Sequence, residues 1–85
     1  MSLGVTSSFE LHKISPRVGG TVGRILELTE QYIAERELDT YGIVSIRRFE
    51  DIQDIVRDSK EPNKFSLFFK QEPTKTYLCR YFFSL

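Results

Sequence analysis

The chain has 85 residues, 40% apolar and 28% charged, with twelve basic and twelve acidic side chains and a formal net charge of zero. That length admits one domain with a thin core, and a balanced charge supplies no field to draw in nucleic acid. One cysteine, Cys79, excludes an internal disulfide or thiolate cluster and points to a reducing compartment.

In chain order, Met1-Ser2-Leu3 has the form of an expression scar. Residues 1–7 read as a disordered arm ahead of a single domain over residues 8–85. No apolar run marks a signal peptide, and nothing approaches the roughly 20 apolar residues that span a bilayer. Ser8 to Ile14 alternates as a first strand with Phe9 and Leu11 on one side. Pro16 to Gly23 is a loop by its proline and glycines. Arg24 to Glu37 has helical propensity, yet it also fits a hairpin turning at Thr29-Glu30-Gln31, and counting decides for neither. Leu38 to Gly42 is a turn. Gly42 to Phe49 is a strand rich in β-branched residues, in which Val44 and Ile46 are expected to share a buried face. Glu50 to Asp58 stays open between a short amphipathic helix (Ile52, Ile55, Val56) and a strand. Ser59 to Asn63 turns around Pro62. Lys64 to Lys70 is a strand that buries Phe65, Leu67 and Phe69. Gln71 to Thr74 is a hairpin loop, and Lys75 to Phe83 a last strand. The fold class is mainly β, or α+β if the open pieces coil: an antiparallel sheet or small open barrel.

The residues for catalysis are missing. His12 has no second histidine or cysteine beside it, and Cys79 lies in an aromatic run that suits a buried thiol. Asp51, Asp54 and Asp58 would form a solvated stripe on a helix, without the glycine turn of a calcium loop. The glycines of residues 16–24 fit neither phosphate-binding spacing. The chain is therefore read as no enzyme, with no cofactor and no metal. Arg47 and Arg48 put one guanidinium on each face of a strand, so at most one is buried, each paired with an acid on a neighbouring strand. The ends are basic and the middle acidic: residues 27–61 hold ten acids against five bases. Should the ends meet, Lys13, Arg17 and Arg24, with Arg80, would form a basic face suited to an anionic lipid headgroup. The aromatics alternate as core residues do, which argues against stacking on nucleic acid.

Gly23-Arg24-Ile25-Leu26-Glu27-Leu28-Thr29-Glu30, Glu35-Arg36-Glu37, Thr40-Tyr41, Ile43-Val44-Ser45-Ile46-Arg47, Val56-Arg57-Asp58 and Pro62-Asn63-Lys64-Phe65-Ser66-Leu67 form a spaced pattern over roughly residues 20–78. It resembles the pleckstrin-homology-like segment near the N-terminus of the large endosomal J-domain co-chaperones, the receptor-mediated-endocytosis group of the DnaJ class. The resemblance implies a pleckstrin-homology-like domain and tips residues 25–36 toward a hairpin. It also implies a cytoplasmic scaffold, peripheral to endosomal membranes, that works with the Hsp70 chaperone and docks protein partners. The His-Pro-Asp tripeptide of a J-domain is absent, and no lysine-arginine signature in residues 16–24 carries over the family's phosphoinositide contacts. After Tyr77 the pattern departs. Where the family runs on into an amphipathic helix, this chain reads Cys79-Arg80-Tyr81-Phe82-Phe83 and stops at Leu85. The barrel corner which that helix would plug is then expected to stay open, so homo-oligomerisation through residues 77–85 is expected. Headgroup binding through the basic loop and peptide binding by strand addition are the alternative functions.

Overall fold

The structure, a computed structural model, describes Gly4 and residues 7–15, 17 and 19–79. The described residues form seven strands: β1 (Ser7–Ser15), β2 (Gly20–Leu28), β3 (Tyr32–Glu37), β4 (Ile43–Arg48), β5 (Ile52–Arg57), β6 (Lys64–Phe69) and β7 (Lys75–Cys79). They form one antiparallel sheet in the order β4-β3-β2-β1-β7-β6-β5. A 3₁₀ turn over Phe49–Asp51 carries the chain from one edge of that order to the other. Strands adjacent in sequence but at opposite edges require the sheet to curl, so the fold is mainly β, an open barrel consistent with the pleckstrin-homology-like class.

Short-range chemistry decides the hairpins. At residues 29–31 the Thr29 hydroxyl accepts the N–H groups of Gln31 (3.1 Å) and Tyr32 (2.8 Å). The Thr29 N–H donates to the Tyr32 carbonyl at 2.9 Å. A threonine-centred turn thereby supplies the bonds a helix would have made, and the hairpin wins over helical propensity. Between β1 and β2 the loop is tighter than its composition suggests. Pairing runs without a break from Ser7↔Leu28 to Ser15↔Gly20. Gly19 takes φ +66°, a conformation that glycine adopts without penalty, and donates its N–H to the Ser15 carbonyl. Residues 20–23, read from sequence as loop, are therefore strand, and Arg24 sits inside β2.

Residues 52–57 are strand as well, so the segment left open between helix and strand supplies no helix to plug the barrel corner. The corner is fastened by backbone. Phe49 donates its N–H to the Gln31 carbonyl at 2.9 Å, and Lys70 donates to the Asp51 carbonyl at 3.3 Å. Phe49 and Ile52 pack on the core from there.

Leu11, Leu26, Ile33, Phe65, Leu67, Phe69 and Tyr77 are buried in the core, with the Phe65 and Tyr77 rings stacked 5.4 Å apart. Phe65, Leu67 and Phe69 face inward as their alternation indicates. Val44 and Ile46 do not. They are 41% and 43% exposed, on the outside of β4. The Cα partnerships Ile33↔Arg47 and Glu35↔Ser45 put the polar residues Ser45 and Arg47 on the inner side instead. Phe9 shares the inner face with Leu11, yet it is 43% exposed near the barrel's end.

Candidate functional site

The interior of the barrel is polar at one place. Glu35 follows Ile33 by two residues on β3, so the alternation that buries Ile33 buries a carboxylate too, and only 2% of Glu35 is exposed. Four hydrogen bonds from three donors satisfy it. Lys13 Nζ on β1 reaches Oε2 at 3.0 Å and Oε1 at 3.4 Å. Arg24 Nε on β2 reaches Oε2 at 3.0 Å, and the Tyr77 hydroxyl on β7 donates to Oε1 at 2.7 Å. Burial raises the carboxyl's pKa, but the bonds from Tyr77, Lys13 and Arg24 outweigh it and hold Glu35 below the ordinary carboxylate value. Burial and the neighbouring Glu35 charge push the Tyr77 phenol far above its usual range.

Beside this cluster, Arg47 clamps Glu72 of the β6–β7 loop with two bonds, Nε to Oε2 at 2.8 Å and NH2 to Oε1 at 2.6 Å. Its guanidinium lies 4.8 Å from the centre of the Phe69 ring. Arg48, on the other face, pairs with Glu50 at 3.3 Å. Both arginines are paired as expected, though with acids of the loop and the 3₁₀ turn and not of a neighbouring strand. A cavity of about 10 Å³ remains among Leu26, Glu35, Ser45, Arg47 and Tyr77, room for at most about one water. Every buried side-chain nitrogen or oxygen among the described residues has a partner. The Glu35 carboxylate, satisfied from three other strands, ties β1, β2, β3 and β7 together.

The basic residues singled out from sequence fare differently from one another. β1 pairs with β7, so the two ends of the domain do meet. Lys13 and Arg24 come together there, but on the carboxylate of Glu35, with side chains only 20% and 22% exposed. Arg24, expected on a basic face at the base of the glycine loop, is a part-buried strand residue whose charge is already committed. Arg17 is exposed on the β1–β2 turn. Arg80 lies outside the described residues. For the expected self-contact through residues 77–85, β7 sits between β1 and β6 and offers no open edge, while residues 80–85 lie outside the described residues.

Sequence reading passed over the outer strands. β5 pairs with β6 alone among the described strands, and five of its six residues are exposed. Ile55 and Val56 stand 42% and 44% exposed on opposite faces. At the other edge Ile43, Val44 and Ile46 are exposed on β4. The signal was present in the sequence, since a β-branched strand that carries Asp54 and is flanked by Asp51 and Asp58 is the composition of a guarded edge. On the outer face of β3, Arg36 Nε donates to the buried Glu27 at 2.6 Å, and the Tyr41 hydroxyl donates to the same carboxylate. This pins the β3–β4 turn.

No protein-family model matches the chain, and a search of curated proteins finds no match.

Proposed function

We propose that this domain is a non-catalytic protein-docking module of an endosomal trafficking co-chaperone. The observation that carries the docking is the pair of outer strands, whose Ile43, Val44, Ile46, Ile55 and Val56 side chains are each more than two-fifths exposed. A small domain that leaves β-branched side chains on both open edges has surface fit for a protein partner. The endosomal setting comes from the sequence pattern of residues 20–78. Headgroup binding is the second reading. The convergence of Lys13 and Arg24 favours it, but both are paired with Glu35, whose charge offsets much of that positive potential.

Two measurements on the whole chain separate these readings. Selection from a displayed peptide library should enrich ligands that an Ile55→Arg, Ile46→Arg double variant no longer binds. Sedimentation with liposomes containing phosphorylated inositol lipids should leave the protein in solution. Lipid-dependent sedimentation with no peptide enrichment would overturn the docking reading.

A further inference from the structure

We propose that the open edge of β5 binds an extended peptide segment bearing Lys or Arg, added as a further strand, with the Asp54 carboxylate as a displaceable guard. The proposal deepens the docking reading and rests on it.

The hydrogen-bond phase of the ladder sets the geometry. Asp58 donates its N–H to the Lys64 carbonyl of the β6 side at 3.0 Å. In an antiparallel ladder alternate residues point their backbone groups at the same neighbour. Given the partnerships Val56↔Ser66 and Asp54↔Phe68, these residues face β6 with Asp58, and Ile55 turns its N–H to the open side. There Asp54 Oδ1 accepts that N–H at 2.8 Å. The edge donor is thus covered by a side chain of its own strand, a local form of the protection that open edges need. Such a cover is removable. The carbonyl of an arriving strand can take its place on the Ile55 N–H without leaving a donor unsatisfied.

Charge then names the ligand. Once displaced, the exposed Asp54 carboxylate is open to a counter-charge: no ion pair among the described residues engages it, and Lys64 and Lys70 lie at the two ends of the paired strand, beside Asp58 and Asp51. A Lys or Arg on the incoming strand supplies it, whereas an acidic strand is repelled. Ile55 on the inner face and Val56 on the outer face each lack cover over more than two-fifths of their surface. A segment that alternates basic and β-branched residues sets its basic face beside Asp54 on the outer side and its β-branched face over Ile55 on the inner side.

The test uses the whole chain and three synthetic peptides of one length, alternating Lys/Val, Thr/Val and Glu/Val. Fluorescence polarisation at low and high salt gives affinity, and amide hydrogen exchange gives location. The Lys/Val peptide is expected to bind best, to weaken with salt, and to slow exchange at the Ile55 amide. Asp54→Asn keeps an acceptor for that amide but removes the charge, and should weaken Lys/Val binding about three- to tenfold while flattening its salt dependence. Asp54→Ala should let the Thr/Val peptide bind as well as Lys/Val does. Equal or tighter binding of Glu/Val, or no binding of Lys/Val, overturns the proposal. Lys/Val binding that protects β4 and leaves the Ile55 amide unchanged overturns it too, but leaves the docking reading standing. Lipid-dependent sedimentation with no peptide bound overturns both.

Discussion

The Tyr77 phenol donates to Glu35 Oε1 at 2.7 Å, joining β7 to β3 across the barrel interior and across 42 residues of sequence. The same carboxylate holds Lys13 and Arg24, so four strands depend on one side chain. Replacing Glu35 with Ala leaves two half-buried cations and a buried hydroxyl without their acceptor. The expected loss is about 2–4 kcal/mol, below the range for fully buried pairs because both cations retain some water. In a domain of this size each kcal/mol lowers the melting temperature by about 4–8 °C. Tyr77→Phe removes one donor to a charged group and should cost about 1.5–3 kcal/mol. Urea melts of the two variants check both values, and a Glu35→Ala melt that matches the wild type would refute the structural role.

The pH dependence follows from the direction of the Glu35 shift. Its folded pKa lies below the ordinary 4.5, so folding favours the ionised form. That stabilisation is present above the unfolded pKa and is lost as pH falls through the folded one. Wild-type stability is expected to decline as pH drops below about 4.5, and the decline should be shallower in Glu35→Gln. Tyr77 acts at the other end. Its folded pKa is raised, so its contribution is full below the ordinary phenol value of 10.0 and falls away above it. The Tyr77 tyrosinate should therefore appear only with alkaline unfolding, which absorbance and circular dichroism recorded together would show.

Arg17 and Arg24 differ sharply, although both flank the glycines of residues 19–23 in sequence. Arg17→Ala, on an exposed turn, should change stability by less than about 0.5 kcal/mol. Arg24→Ala removes a charged donor from the buried Glu35 and should cost about 1.5–3 kcal/mol. Any test of lipid binding at this end needs Arg17 alone as its variant, because loss of binding in the double variant could reflect a weakened fold. Equal melts for the two single variants would show that Glu35 does not need Arg24.

Much of the fold was legible because local signals agreed. Phe65, Leu67 and Phe69 alternate in a run bounded by turns, and they are the core. The Thr29-Glu30-Gln31 hairpin rests on a turn residue whose chemistry is visible in sequence, although helical propensity concealed it. What misled was the assumption that the inner face is apolar. β4 alternates Val44 and Ile46 with Ser45 and Arg47, and the apolar pair is the natural choice for the core side. The interior opposite β4 is organised around Glu35 and Arg47, so the polar pair is inside. One strand's alternation fixes which residues share a face; the partners across the barrel, distant in sequence, fix which face is buried. The strand at residues 52–57 was undecidable for a related reason. Its apolar residues are exposed, so core burial imposed no single period on it.

That reversal of β4 has a direct consequence for stability. Ile46 is 43% exposed beside Ala34 on the outer face, whereas Leu67 is 3% exposed in the core. Ile46→Thr preserves the β-branched shape that a strand favours and removes little buried surface, so it should alter stability by less than about 0.5 kcal/mol. Leu67→Ala leaves a cavity among Ile33, Phe69 and Tyr77 and should cost about 2–5 kcal/mol, enough to bring a marginal domain close to unfolding at room temperature. Ser45→Val supplies the opposite check, since it places methyl groups against the Glu35–Arg47 region and takes away the hydroxyl that accepts from Arg47 NH1 at 2.6 Å. It should destabilise even though it raises both hydrophobicity and strand propensity. If Ser45→Val stabilises and Ile46→Thr costs as much as Leu67→Ala, β4 faces the other way, and the exposed edge on which the docking reading partly stands is lost with it.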